Sequence, residues 1–292
     1  LVSRGAEVIR SPVVFASAEK VEFANSIVEN FDHTDGRVVD VSEVMRAQYP
    51  YEALWNESEG ASHVVIASTV TDPDLLRRSV SEEHKSDMRA FNEMIPTWLS
   101  MIARDRGIPA VFLSSVWVFG NNGYRAGCNA TPKPTSFFGR SLYMGERIVL
   151  QMDRRNTVLR LPWMFGREFP RSTPVQVMES GEVRVDGAGV AYRRAALETT
   201  QRGMIAYAPT VATAIGNYHL NYGAHNVYPY KDTSTYTWYE WVERWLPEHK
   251  KEHSYSHAGG HQKNSTFEPC PNGMIMAEDV GGDAKRFVDS YG

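Results

Sequence analysis

Short apolar runs recur through the first 165 residues, and helix-length stretches separate them. The runs are VVFA (13–16), VVDV (38–41), HVVIAS (63–68), AVFLS (110–114) and TVLRL (157–161). None shows the apolar–polar alternation of a sheet with one wet face, so each reads as a strand buried on both sides. Between them, residues 18–31, 42–54, 86–106 and 136–152 read as helices. In 86–106 the apolar residues Met88, Phe91, Ile95, Leu99 and Ile102 fall at spacings of three and four, which gives one buried stripe. Gly107 and Pro109 end it. Strand–helix alternation of this kind predicts an α/β fold, a doubly wound parallel sheet with helices on both faces.

The alternation fades near residue 165. Beyond it the chain is richer in Gly, Tyr and Pro, with a helix expected over 235–246 and a polar surface loop over 250–272. The expected organisation is a Rossmann-like domain over 12–165 and a smaller C-terminal α+β lobe over 166–292, interleaved with the first. At 292 residues and 42% hydrophobic content, the chain can bury one large core. A net charge of −4 gives no reason to expect nucleic acid or an anionic membrane as partner. No apolar run approaches the length of a membrane span. Cys128 and Cys270 are too few for a disulfide framework or a Cys-rich zinc site, which favours a reducing compartment.

Several features carry less than they first suggest. His249, His253, His257 and His261 recur every four residues, as metal ligands on a helix would. Gly259 and Gly260 interrupt that helix and the segment has no apolar face, so no metal site is expected. Trp238, Trp241 and Trp245 mark one buried helix face, with Tyr239 beside it. Ser114 and Ser115 lack the glycine-flanked elbow of a serine nucleophile. Asp72 and Asp74 read as a turn or helix cap, and Cys128 as a plain loop cysteine.

Three segments carry a family resemblance: VFLSSVWVF (111–119), FGRSLYMGE (138–146) and VLRLPWMFG (158–166). They resemble the extended short-chain dehydrogenase/reductases, most of all dTDP-4-dehydrorhamnose reductase and the related regulatory β subunit of methionine adenosyltransferase. Residues 61–92 also fit, as do GNYHLNYG (216–223) and TYTWYEWVERW (235–245) in the second lobe. The likeness spans roughly residues 12–280 and is most specific in the middle third.

The resemblance implies a set of active-site positions. A tyrosine exchanges a proton with the substrate carbonyl. A lysine four residues later lowers its pKa and holds the nicotinamide ribose. A Ser or Thr binds the substrate oxygen, and an Asn supports a relay water. Asn92 and Ser115 match these last two. The tyrosine position holds Phe138 and the lysine position Leu142, which have neither proton nor charge to offer. Loss of general acid–base function alone costs about a hundred- to ten-thousand-fold. Tyr143 lies about 140° around the helix from Phe138, and Arg140 holds its proton too tightly to substitute.

The dinucleotide-binding turn of the family needs glycines at G-x-x-G-x-x-G spacing, so that backbone N–H groups can approach the pyrophosphate. The matching positions hold Ala16, Glu19 and Glu22, which puts side chains and two carboxylates where an anion should rest. The two glutamates instead suit the start of a helix.

No active catalytic set, cofactor or metal is therefore expected. The leading expectation is a pseudoenzyme, acting as a structural or regulatory subunit among other protein chains. The runner-up is a working NAD(P)-dependent reductase of a nucleotide-linked 4-keto sugar, with a displaced proton donor; a third is a nucleotide sensor without turnover. Residues 145–168 are also similar to the nucleotide-binding accessory subunit of respiratory complex I, a more distant member of the superfamily. With Leu1 in place of an initiator Met, that similarity implies an intracellular, mitochondrial location rather than a cytoplasmic one.

Overall fold

The computed structural model describes residues 11–31, 36–70, 80–119, 131–166, 182–185, 191–195, 205–216, 223–230, 240–241, 244, 253–255 and 274–277. The five apolar runs form β1 (Pro12–Ala16), β2 (Arg37–Asp40), β3 (His63–Ala67), β4 (Ala110–Ser115) and β5 (Thr157–Leu161). Four short strands follow: β6 (Trp163–Phe165), β7 (Glu182–Val185), β8 (Ala191–Ala195) and β9 (Ile205–Tyr207). The last three are β10 (Gly223–Tyr230), β11 (His253–Tyr255) and β12 (Met274–Ala277).

Seven strands make one parallel sheet in the order β12-β10-β5-β4-β3-β1-β2. Its four central strands, β1, β3, β4 and β5, are buried on both faces, and the pleat sorts their side chains into two cores. Val13, Phe15, Val64, Ile66, Ala110, Phe112 and Val158 face one side. Val14, Ala16, Val65, Ala67, Val111, Leu113, Leu159 and Leu161 face the other.

Helices cover each face. On the second lie α1 (Val21–Glu29), through Phe23, Ala24 and Ile27, and the later helix Ala208–Gly216, through Val211, Ala212 and Ile215. On the first lie α2 (Val41–Val44), α3 (Pro50–Glu57), α4 (Glu82–Arg89), α5 (Ile95–Asp105) and α6 (Phe137–Met152). The chain thus forms the doubly wound, Rossmann-like α/β sheet expected of it.

Three local departures from the expected elements have physical causes. The helix expected over 42–54 is two helices, because Pro50 restricts the residue before it and opens a new first turn. The helix expected from 86 begins at Glu82, where the Ser81 hydroxyl accepts the His84 N–H at 3.2 Å. A π turn at Ala90–Met94 then interrupts it. Pro96 has no N–H for the carbonyl four residues back, that of Asn92, and its ring would collide with it in a plain α-helix. Widening the turn relieves the collision.

In the second half, β7, β8 and β11 form a three-stranded sheet, and β6 pairs with β9. Residues 253–255, within the expected polar loop, form β11 and pair in parallel with Arg193–Ala195 of β8. Glu240, Trp241 and Arg244 are helical, and the Trp241 ring lies 4.6 Å from that of Phe165. The rest of 235–246, the three other spaced histidines, Asp72, Asp74, Cys128 and Cys270 lie outside the described residues. No described helix is long and apolar enough to cross a membrane, and no described group of three His, Cys, Asp or Glu is placed to hold a metal.

Candidate functional site

Strand order reverses between β1 and β3: β1 leads outward to β2, while β3 leads through α4 and α5 to β4. Helices leave the two strands on opposite faces, and this opens the crevice where α/β proteins bind ligands, at the carboxyl ends of the strands. Ala16 closes β1 beside Ala67 of β3 and Asp40 of β2 and is fully buried. Ser17 follows, then a 3₁₀ turn over Ala18–Lys20, then α1. In a dinucleotide-binding turn, unpaired N–H groups point at the pyrophosphate. Here the Ala18 N–H donates to the Ser42 hydroxyl at 3.0 Å, and the Lys20 N–H to the Ser17 carbonyl at 2.8 Å. The Ser42 N–H donates in turn to Asp40 Oδ1 at 2.7 Å, so the carboxylate at the end of β2 serves as a helix cap.

Glu19 and Glu22, placed at glycine positions by the sequence, are both exposed. Between them, the Lys20 side chain turns into the protein. It is 4% exposed, and its ammonium donates to Thr69 Oγ1 just past β3. Burial pushes its pKa down from 10.5 to about 8, against a smaller opposing effect of the Glu19 carboxylate.

The second group of positions lies around the start of α6. Ser136 caps this helix, its hydroxyl accepting the Gly139 N–H at 3.0 Å. Gly139 has no Cβ because one would stand 2.6 Å from the Trp117 carbonyl oxygen, which lets α6 start directly against the turn after β4. Phe138 is 3% exposed and Leu142 fully buried, and both belong to the core with Val116, Val118 and Phe119. Ser115, at the end of β4, is half-buried, and its hydroxyl accepts the Trp117 N–H at 3.5 Å. Tyr143 is half-buried against the same core, and Arg140 is exposed with its guanidinium on the Thr135 carbonyl at 3.0 Å.

Asn92 is fully buried in the π turn, and its amide is committed to structure. Nδ2 donates to Ser141 Oγ at 2.9 Å, and Oδ1 accepts the Val70 N–H at 3.3 Å. The Ser141 hydroxyl donates in turn to the Phe138 carbonyl at 2.8 Å. Asn92 therefore ties the segment after β3 to the first turns of α6.

Beneath these residues lies a buried ion pair. Glu146 is 1% exposed, and Arg160 of β5 grips it with Nε at 3.0 and 3.1 Å and Nη2 at 2.7 Å. The Ser114 hydroxyl adds a bond to Oε1 at 2.6 Å, and the Phe119 ring faces the guanidinium at 5.2 Å. The geometry is the bidentate one that best offsets desolvation. It pins α6 to β4 and β5 and fixes the rotation at which Phe138 and Leu142 face inward.

Sheet order and crevice together define a doubly wound protein of the Rossmann type. The family model described as the RmlD substrate binding domain matches residues 57–270, and the chain belongs to that family. No curated protein matches the chain in sequence. Among solved structures, it is similar to dTDP-4-dehydrorhamnose reductase from Bacillus anthracis str. Ames in complex with NADP. The two are 15% identical with a TM-score of 0.74, over 97% of this chain and 100% of that one. The corresponding reductase from Clostridium acetobutylicum is 15% identical, with a TM-score of 0.71 over 96% and 99%. MoeE5 in complex with UDP-glucuronic acid and NAD is 14% identical, with a TM-score of 0.69 over 96% and 98%. At these identities the likeness establishes a shared fold.

Sequence reasoning missed Lys20, Ser17 and Thr69. A signal existed for the lysine: it sits between Glu19 and Glu22 at the start of an amphipathic helix, two positions whose exposure leaves residue 20 to turn inward.

Proposed function

We propose that this chain is a reductase-fold protein without hydride-transfer activity, serving as a structural or regulatory subunit of a larger, mitochondrial protein assembly. One observation carries the reading. The two positions that would hold the proton donor and its ammonium partner are occupied by Phe138 and Leu142, and both are packed in the core. No proton can be moved by hydrocarbon. The engaged N–H groups of Ala18 and Lys20 support it further, since the turn has committed to its own chain the donors that a pyrophosphate would need. The assembly and the compartment are supported by the likeness of residues 145–168 to a respiratory accessory subunit.

The test has two arms. Purified protein is mixed with NADPH or NADH and a dTDP-linked 4-keto sugar, and absorbance at the nicotinamide band is followed; no change above the protein-free rate is expected. The native protein is then run on size exclusion and its co-purifying chains identified; a complex larger than a monomer or dimer is expected. Turnover that is lost in Ser115→Ala, from a protein running alone, overturns the reading.

A second reading has its own support. The chain belongs to a reductase family, and structures of similar fold hold NADP, or NAD with a UDP-linked sugar. An NAD(P)-dependent reductase of a nucleotide-linked 4-keto sugar would need a proton donor from outside α6. Quenching or enhancement of NADPH fluorescence on mixing separates the two, because only the reductase requires the cofactor to bind.

A further inference from the structure

The exposed residues of α6 are Arg140, Met144, Arg147 and Gln151. Their spacings of four, three and four put them in one stripe, which half-buried Phe137 begins one turn earlier. Met144 is 44% exposed, unlike the other large apolar side chains of this helix. The stripe carries two arginines and no acid, because the carboxylate of α6, Glu146, is buried on Arg160. Cations also gather at the Phe137 ring. The Arg89 guanidinium stands 5.3 Å from its centroid, the Lys85 ammonium 5.9 Å and the Arg140 guanidinium 6.0 Å. Glu82 bridges Lys85 at 2.5 Å, and Glu93, one turn beyond Arg89, is half-buried. The other acids of α4, Glu83 and Asp87, lie about 120–160° around the helix from Lys85 and Arg89. Among the described residues no carboxylate is within ion-pair distance of Arg89, Arg140 or Arg147.

Lys85, Arg89, Arg140 and Arg147 thus share this face with two carboxylates, Glu82 and Glu93, around the apolar pair Phe137 and Met144. The whole chain carries a net charge of −4, so the face opposes the sign of the molecule. Arginine, aromatic and methionine side chains are what the cores of protein interfaces favour, and methionine repacks readily against a partner. We propose that the α4–α6 face docks an acidic amphipathic helix of a different protein chain. Two interleaved intervals fit such an occupant. Phe137 and Met144 are seven residues apart, as are Arg140 and Arg147, and each interval spans about 10 Å along α6. A helix laid alongside offers apolar side chains and carboxylates at the same interval, the first against Phe137 and Met144 and the second against the arginines. A second copy of this chain fits poorly, since it brings its own unpaired arginines onto these. The inference rests on the reading above, in which the chain is a subunit of a larger assembly.

The test uses the full chain, expressed in its source cells and isolated under native conditions by size exclusion. A photoreactive amino acid in place of Met144 is cross-linked, and the adduct is mapped by peptide sequencing. An adduct on a helical segment of another chain rich in Asp and Glu is expected. An adduct on α6 of a second copy, or on a neutral or basic segment, overturns the proposal. So does the absence of any adduct from a chain that elutes within a complex. In parallel, Arg140→Glu with Arg147→Glu should weaken retention in the complex at least about tenfold. Both arginines are exposed, and circular dichroism checks that the fold survives; Arg147→Glu alone serves should the double variant fail to fold. Equal retention of wild type and a folded variant overturns the proposal and leaves the subunit reading standing. A wild-type chain that elutes alone overturns both.

Discussion

An alanine at position 145 would place its methyl carbon 2.1 Å from the carbonyl oxygen of Asn92 and 3.2 Å from the ring of Phe112. The first of these is a backbone atom, and no side-chain rotation can clear it. Ordinary contact begins near 3.4 Å, so α6 and the π turn must separate by about 1.3 Å. A gap of about 1 Å forfeits up to half of the dispersion attraction of the atoms lining it. It also stretches the Asn92–Ser141 bond, which spans the same seam at 2.9 Å. Overpacking of this kind costs typically about 1–3 kcal/mol and occasionally more, and a backbone obstacle belongs at the upper end. Alanine's better helix propensity returns about 1 kcal/mol. The net expectation is a loss of about 2 kcal/mol, or a fall in Tm of roughly 4–8 °C for a chain of this length. Urea and thermal unfolding of Gly145→Ala would measure it, with Gly60→Ala as comparison. A Cβ at Gly60 meets nothing within 4 Å, but its φ of +72° is unfavourable to alanine, which costs about 1 kcal/mol. A Gly145→Ala protein within about 0.5 kcal/mol of wild type, at unchanged denaturant slope, refutes the close seam between α6 and the π turn.

Leu142→Lys should destabilise the fold by about 3–5 kcal/mol, since it leaves an unpaired charge in the core; urea unfolding at pH 7 checks it. On the reading proposed above, in which the turn after β1 holds no pyrophosphate, the double change Phe138→Tyr with Leu142→Lys should restore no NADPH oxidation. Glu146→Gln or Arg160→Met alone should cost about 3–5 kcal/mol, and Glu146→Leu with Arg160→Met together much less than the sum; a double-mutant cycle measures the coupling. Lys20 gives a pH dependence of known sign. Its native pKa of about 8 lies below the unfolded 10.5, so between those values the unfolded chain holds more protons and stability rises with pH. Below pH 8 the full penalty is present. In phosphate-free chloride buffer, wild type should therefore gain up to about 3 kcal/mol relative to Lys20→Met between pH 8 and 10.5, read from urea midpoints.

The sheet was legible because burial on both faces leaves a plain signature. HVVIAS and AVFLS carry no alternation, and they became β3 and β4 within a residue of the expected bounds. The helix stripe from Met88 to Ile102 was equally plain, since four of its five members, Met88, Ile95, Leu99 and Ile102, pack fully buried. Local patterns could not show the π turn, which arises from one proline and one carbonyl in three dimensions. They missed β11 too, because three residues of HSY carry no apolar signal and owe their conformation to pairing with β8. Around the crevice, spacing located the segment, but not that Lys20 between the two exposed glutamates would be buried against Thr69. Spacing also placed Asn92 beside the start of α6, but its use as a structural tie depends on Val70 and Ser141, which only the fold brings to it.

The pairing of β5 with β10 sets a schedule for synthesis. Thr157–Leu161 must wait for Gly223–Asn226 before its outer edge is covered, and β10 must wait again for Met274. At ribosomal speeds of about 5–20 residues per second, the growing chain carries a bare, apolar strand edge for several seconds. Such an edge is an invitation to foreign strands. Chaperone demand during translation should therefore peak while residues 162–223 are being made.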